Sequence, residues 1–316
     1  MIALARQRGV ALITAIILVA IAAVLATAIG YASAMSARRA STLFGSDQSF
    51  LAAEGAEAMA AYVLRLTSQS NSPFSLDQPW AQPYGPFELS DGVLLEFAQI
   101  EDEQSKFNIN NLAPSGASDT TNALPLFRQL LTMLNLETKW AGLIADWIDT
   151  DNNPNQPDGA EDSVYLSQSP PYRAANIPIT SISELLALPG FGRARYDRLA
   201  PYITALPPGT SINVCTASGV LLDAIAGKVE YSNDPNALMN QRLQNGCFPS
   251  LNVFRSTLSV NSQTLATIFL GSTTQYFRLR SFITIGTARF TLYSLLYSDS
   301  SGSGQFRPIL RTFGTE

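Results

Sequence analysis

The sequence predicts an α+β fold: a long N-terminal helix packed on an antiparallel sheet that is interrupted by a large inserted α-helical domain. Three observations predict it. A charge-free apolar run from Val10 to Ala37 continues, Ala-rich and without proline, to Leu66. Strand-like alternation occurs at residues 93–100 and returns after residue 273. The long stretch between is apolar at helical spacing.

Arg6 and Arg8 are the only charges before the apolar run, so the N-terminus stays cytoplasmic and the rest crosses. About 20 such residues span a bilayer as a helix. A cleaved secretory signal would use Ala32-Ser33-Ala34, but the apolar run is too long for one. A plain single-pass anchor fits, and so does a prepilin-type leader, which also accounts for the Arg-Gln-Arg-Gly junction before Val10. Residues 10–66 as one helix reach about 85 Å at 1.5 Å per residue. Phe44, Leu51, Gly55, Ala58 and Tyr62 mark one face of its second half, the one expected to pack on a folded domain.

Residues 67–92 are rich in Ser, Pro, Gln and Gly and read as loop. Residues 93–100 read as a strand, Glu101, Asp102 and Glu103 as a turn, and residues 106–110 as a second short strand. Helical stretches follow at 124–136, 140–147, 182–188, 193–203, 220–229 and 236–243. Phe277, Leu279, Ile283 and Ile285 then alternate with polar residues, as do Ala288, Phe290, Leu292 and Leu296. Gly286-Thr287 suits a tight turn between them, and residues 306–313 form a last strand whose Pro308 suggests an edge. Phe107-Asn108-Ile109-Asn110-Asn111 is echoed by Ile212-Asn213-Val214-Cys215-Thr216, a short repeat within the helical block.

Composition excludes several functions. The 316 residues contain no histidine and two cysteines, which removes Ser-His-Asp triads, Cys-His pairs and His- or Cys-ligated zinc sites within the chain. With net charge −5, no global field draws the protein to nucleic acid. An enzyme would be left with metal–carboxylate chemistry alone, so a non-enzymatic role is expected.

Between Trp140 and Tyr172 there is no Lys or Arg, yet Asp146, Asp149, Asp151, Asp158, Glu161 and Asp162 crowd together. Their mutual repulsion is costly unless a cation is bound. Oxygen ligands in a loop suit Ca²⁺. Asp149-Thr150-Asp151-Asn152-Asn153 matches the start of an EF-hand loop, but Pro154 stands where that loop needs Gly, and Glu161 falls one residue late. A solvated acidic loop is the alternative.

Ser183 to Gly192, followed by Arg193, Arg195 and Arg198, resembles a helix-hairpin-helix, whose glycine-rich turn offers N–H groups to a phosphate in DNA-binding forms. The acidic surroundings favour a turn between packed helices instead. Cys215 and Cys247 fall in the segment placed outside the membrane, where oxidation is permitted. Either they are bridged, closing a loop worth about 3–4 kcal/mol in the chain-entropy model, or they are two buried thiols.

The short basic leader ending in Gly9, the apolar helix beginning at Val10 and the amphipathic continuation resemble the class III signal of type IV pilins and type II secretion pseudopilins. The stretch Ala145-Asp146-Trp147-Ile148-Asp149-Thr150-Asp151, with Gly159-Ala160-Glu161-Asp162 and Tyr172-Arg173-Ala174-Ala175-Asn176, resembles the K-type minor pseudopilins (GspK). That resemblance implies a pilin-like fold divided into a leader (1–9), a long helix (10–66, membrane part about 10–35), first strands (67–111), a calcium-binding α-domain (112–272) and last strands (273–316). It implies cleavage between Gly9 and Val10 by a prepilin peptidase, followed by N-methylation. Thr14 stands where most pilins carry glutamate, a departure shared with the K type. The metal ligands implied are Asp149, Asp151, Glu161 and Asp162, with Asp146 and Asp158 beside them. Asn commonly stands where this chain has Cys215. The implied role is at the tip of a periplasmic pseudopilus, with H-, I- and J-type minor pseudopilins as partners, the inner membrane as anchor, and no nucleic acid. The rival readings are a minor pilin of a type IV pilus and a membrane-tethered DNA-binding protein of a DNA-uptake system.

Overall fold

The computed structural model describes residues 7–69, 73–90, 92–112, 123–232, 240, 242, 244–258, 270–286, 288–299 and 304–314. Helix α1 spans Gln7–Ser68 without a break. It is the one described helix long and apolar enough to cross a membrane, and its residues 10–34 are all exposed. Its second half lies on a five-stranded antiparallel sheet of order β1-β2-β7-β8-β9. The strands are β1 (Phe87–Ser90), β2 (Val93–Asp102), β7 (Tyr276–Ile285), β8 (Ala288–Tyr297) and β9 (Arg307–Phe313). Between β2 and β7 lies the helical domain. Non-contiguous strands therefore rejoin one sheet, and β9 with Pro308 is an edge. Gly286, at a φ of 59°, turns β7 into β8, while Thr287 lies outside the described residues.

The helix turns a different face to the sheet from the one its large apolar residues mark. Ala53, Ala56, Ala60 and Leu64 are buried there, whereas Phe44, Leu51, Gly55, Ala58 and Tyr62 are exposed. Small side chains let the helix approach the strands closely, and the two faces are similar enough in polarity that size decides between them. Glu57 also sits on the buried face. Arg311 of β9 grips it through two N–H groups at 2.9 and 2.6 Å, and Ser294 of β8 donates to it as well.

The helix–sheet core fixes which end of the molecule is which. Phe50 of α1 meets Phe313, which in turn meets Phe290, at one end of the sheet. Phe74, just beyond the C-terminus of α1, packs on Phe277 at 4.8 Å at the other. Asp102 pairs with Phe277, so the inserted domain leaves and rejoins the sheet at that second end, remote from the apolar half of α1.

The insertion has its own core and two tandem units. The first opens at β3 (Phe107–Asn108), runs through α2 (Ala123–Met133), α3 (Trp140–Ile148), α4 (Asp162–Tyr165) and α5 (Gly192–Leu199), and closes at β4 (Ile203–Thr204), which pairs with β3 in parallel. The second opens at β5 (Ile212–Asn213), continues into α6 (Gly219–Ala226), and closes on β6 (Leu270–Gly271), again in parallel. Asn108 and Asn213 occupy matching positions. Each accepts from the N–H two residues on, at 3.2 and 3.0 Å, and donates to the chain just past the closing strand, at Pro207 and Thr274. The echo in the sequence is thus a repeated latch.

Several expectations are corrected. Residues 106–110 contribute only β3, which pairs inside the insertion and not in the main sheet. Residues 67–92 contain the edge strand β1. Glu101 and Asp102 complete β2 instead of turning. Residues 182–187 form a 3₁₀ helix rather than an α-helix. A helix also forms at Leu251–Ser256, where none was expected. Most of the helix expected at 236–243, and residues 1–6 of the leader, lie outside the described residues.

Candidate metal centre

Helix α3 and the loop after it build the acidic site. Trp140, Ile144 and Ile148 bury one face of α3 in the domain core. Asp149 ends the helix, its N–H bonded to the Ala145 carbonyl, and the turn-forming run Thr150 to Pro154 carries the chain away. The loop then folds back over α3. Gly142 lets Asp158 cross it, since a Cβ there would meet the Asp158 backbone at 3.2 Å. At Gly159 a Cβ would lie 2.2 Å from an Asp146 carboxylate oxygen, so only glycine fits. Asp146 is fully buried and organises this return, accepting from the N–H of Asn155 at 3.1 Å and from its side-chain amide. Glu161 follows at the N-cap of α4, yet its carboxylate caps no helix N–H.

Asp149, Asp151 and Glu161 come together, each offering an oxygen within 4.8 Å of the others. Asp149 and Glu161 are buried, with one Asp149 oxygen and both Glu161 oxygens lacking any hydrogen-bond partner. Such orphaned buried acceptors carry a full desolvation penalty unless something electropositive meets them. Burial first, and then the neighbouring carboxylates, push Glu161 up to about 7 and Asp149 up to about 6. Asp146 is also raised, mainly by burial. Three clustered carboxylates with unspent oxygens fit a hard dication such as Ca²⁺.

The other acids of the loop are placed differently. Asp162 accepts from Arg173 and from the Ala174 N–H, both at 3.1 Å. Asp158 is half-buried over Gly142 and outside the cluster. Trp147, Tyr165 and Tyr172 form an aromatic wall behind the site, with Trp147 and Tyr165 5.0 Å apart.

The hairpin at Pro189–Gly192 is spent internally. Arg195 forks onto Glu137 and also donates to the Gly190 and Phe191 carbonyls. Arg198 donates to the Leu134 carbonyl and Arg193 pairs with Asp197. The guanidinium groups that a phosphate would need hold this turn against the end of α2. Cys215 and Cys247 form a disulfide. Val10 and Thr14 are exposed on α1, where the Thr14 hydroxyl donates to the Ala11 carbonyl, and Gly9 lies in the helix's first turn.

Sequence reasoning missed a second group of buried acids, at the root of the insertion. Asp102 accepts from Gln104 N–H, Asn213, Thr216 and Thr274, and Glu103 from Lys106, Thr204 and Arg278. Read as a turn, these residues offered no periodic signal. Only the exclusion of water by the joined domains makes them structural.

A spanning-length N-terminal helix laid on an antiparallel sheet, with an acidic helical domain set into that sheet, is the architecture of the pilin class. Residues 105–208 match the family described as type II secretion system protein K, and residues 8–56 match the PilX N-terminal family. A type II secretion system protein K from Pseudomonas aeruginosa is 32% identical over 98% of this chain and 93% of its own length. One from Klebsiella pneumoniae is 37% identical over 67% of each. The crystal structure of the GspK-GspI-GspJ complex from enterotoxigenic Escherichia coli superposes with a TM-score of 0.75 and 26% identity, covering 88% of this chain and all of the matched one. The chain belongs to the type II secretion system protein K family. It is a minor pseudopilin of type II secretion, a structural component, and its N-terminal helix fits a single-pass membrane anchor.

Proposed function

We propose that this chain caps the tip of a periplasmic pseudopilus, joined to I-, J- and H-type minor pseudopilins, and supports pseudopilus assembly and secretion across the outer membrane. The observation that carries this is the position of the α-domain. It crowns the end of the sheet remote from the apolar half of α1. In a filament whose N-terminal helices point down its axis toward the membrane, a subunit stacked above would meet that bulk. The solved relative assembles with GspI and GspJ, which supports the same partners here. A prepilin peptidase would cut between Gly9 and Val10. Thr14 in place of a glutamate suits a subunit with no N-terminus above it to pair with. Immunogold labelling of this chain on sheared pseudopili tests the placement. Label at one end is expected, and label along the shaft overturns it.

In the same reading, Ca²⁺ held by Asp149, Asp151 and Glu161 joins the acidic loop to α3. Thermal unfolding of the full chain in detergent micelles is expected to shift upward with calcium relative to chelator. No shift at millimolar calcium overturns this part.

A further inference from the structure

Just beyond the apolar run of α1 stand two arginines with no countercharge in the chain. Arg38 and Arg39 are exposed, and among the described residues neither guanidinium has a hydrogen-bond or ion-pair partner. The positions one turn before and after them, among them Ala34, Met35, Thr42 and Leu43, are uncharged, and the first acid after Val10 is Asp47. In the folded domain, by contrast, Arg173, Arg195, Arg278 and Arg311 each meet a carboxylate. Met35, Arg38, Arg39, Thr42 and Leu43 line one shallow recess on the helix surface. Length places that recess at a membrane surface. Residues 10–37 reach about 42 Å at 1.5 Å per residue, whereas a hydrocarbon core is about 30 Å thick. With Val10 at one edge of the core, Tyr31 falls at the other, where tyrosine is favoured. Arg38 then lies about 10 Å further on. Helical side chains lean toward the helix N-terminus, so both arginines reach back toward the bilayer, to the level of the lipid phosphates.

We propose that Arg38 and Arg39 bind the phosphates of anionic lipid headgroups in the leaflet on the side of the folded domain, and so set how deep α1 sits. The proposal rests on the reading that α1 spans the membrane with that domain on the far side from the N-terminus. On that side arginines run against the usual charge bias of membrane helices, so topology gives no reason for the pair. A guanidinium fork matches the oxygens of a phosphate, and a headgroup of net negative charge supplies the missing countercharge. The recess is continuous with the apolar surface that meets the acyl chains, so one lipid touches both. Under the proposed leader cleavage Arg6 and Arg8 are lost, and Arg38 and Arg39 are the basic side chains left beside the span.

The test is native mass spectrometry of the full chain in neutral detergent, offered equal amounts of phosphatidylglycerol and phosphatidylcholine. Each arginine is expected to favour the anionic lipid about fivefold. The double variant Arg38→Gln with Arg39→Gln keeps good helix formers at both positions and is expected to retain the two lipids equally. No preference in the wild-type chain overturns the proposal and leaves a carboxylate of a neighbouring subunit as the countercharge. A preference that survives in the double variant overturns it as well. Extraction of the wild-type chain from phosphatidylcholine vesicles by alkaline carbonate overturns the membrane reading and this proposal together. Should the double variant not fold, Arg38→Gln alone is read: a fall of about fivefold in the preference is expected, and an unchanged preference overturns the proposal.

Discussion

Glu161 and Asp149 carry protonation equilibria opposed to those of ordinary surface acids. Their folded pKa values, about 7 and about 6, lie above those of the unfolded chain. Their contribution to the cation-free fold is therefore complete at acid pH, below the ordinary carboxylate range, and lost as pH rises through 6 to 7. Calcium held by these carboxylates, as proposed, would remove that loss because it needs the ionised forms. The gap between melting temperatures with calcium and with chelator should thus widen from pH 5 to pH 8, and a constant gap would sink the account. Glu161→Gln should raise the melting temperature in chelator, because it deletes a repelled buried charge, and should shrink the calcium shift. The acidic character of this site was legible in the sequence as a run without counter-charges, but its membership was not. Asp162 and Asp146 satisfy their oxygens with N–H groups brought from Arg173, Ala174 and Asn155.

Among the elements, β2, β7, β8, β9 and the long helix follow from pattern, because alternation and an unbroken apolar run are local signals, whereas β1 lay in a stretch that reads as loop. The packing face of α1 does not. Large residues at helical spacing normally face the core, but here Ala53, Ala56 and Ala60 do, and Phe44, Leu51 and Tyr62 are exposed. Overpacking this face should therefore cost more than stripping the other. Ala56→Leu is expected to destabilise by about 1–3 kcal/mol and Tyr62→Ser by no more than about 0.5 kcal/mol. The Glu57–Arg311 pair sets how the helix sits on the sheet. Arg311→Ala leaves a buried carboxylate without its cation and should cost about 3 kcal/mol, the low end for such a pair because the Arg311 side chain is 33% exposed. Chemical denaturation in micelles measures all three variants. Equal losses from Tyr62→Ser and Ala56→Leu would show that the assigned face is wrong.

At the scale of the whole molecule, most buried apolar side chains among the described residues fall into two cores. One joins α1 to the sheet through Leu64, Trp80 and Phe277. The other fills the inserted domain, where α2 of the first unit packs on α6 of the second. What crosses between them is mostly polar: Asp102 at the end of β2 holds Asn213, Thr216 and Thr274, and Glu103 holds Arg278 and Thr204. Polar joints of this kind fix geometry, but a net hydrogen bond contributes only about 1 kcal/mol, less than a shared apolar interface would. Calorimetry of the full chain should therefore resolve two transitions, and calcium should raise only the one belonging to the inserted domain. The Cys215–Cys247 bridge closes a separation of 32 residues inside the second unit. Its removal by paired serine substitution should cost about 3–4 kcal/mol and lower that same transition. Because α2 and α6 share one core, the two perturbations should act on one melting event: chelation, felt first in the first unit, and loss of the bridge, felt first in the second. If calcium moved the helix–sheet transition by as much, the acids at the root of the insertion would have to couple the cores far more strongly than their hydrogen bonds allow. Asp102→Ala would then be expected to split a single transition into two.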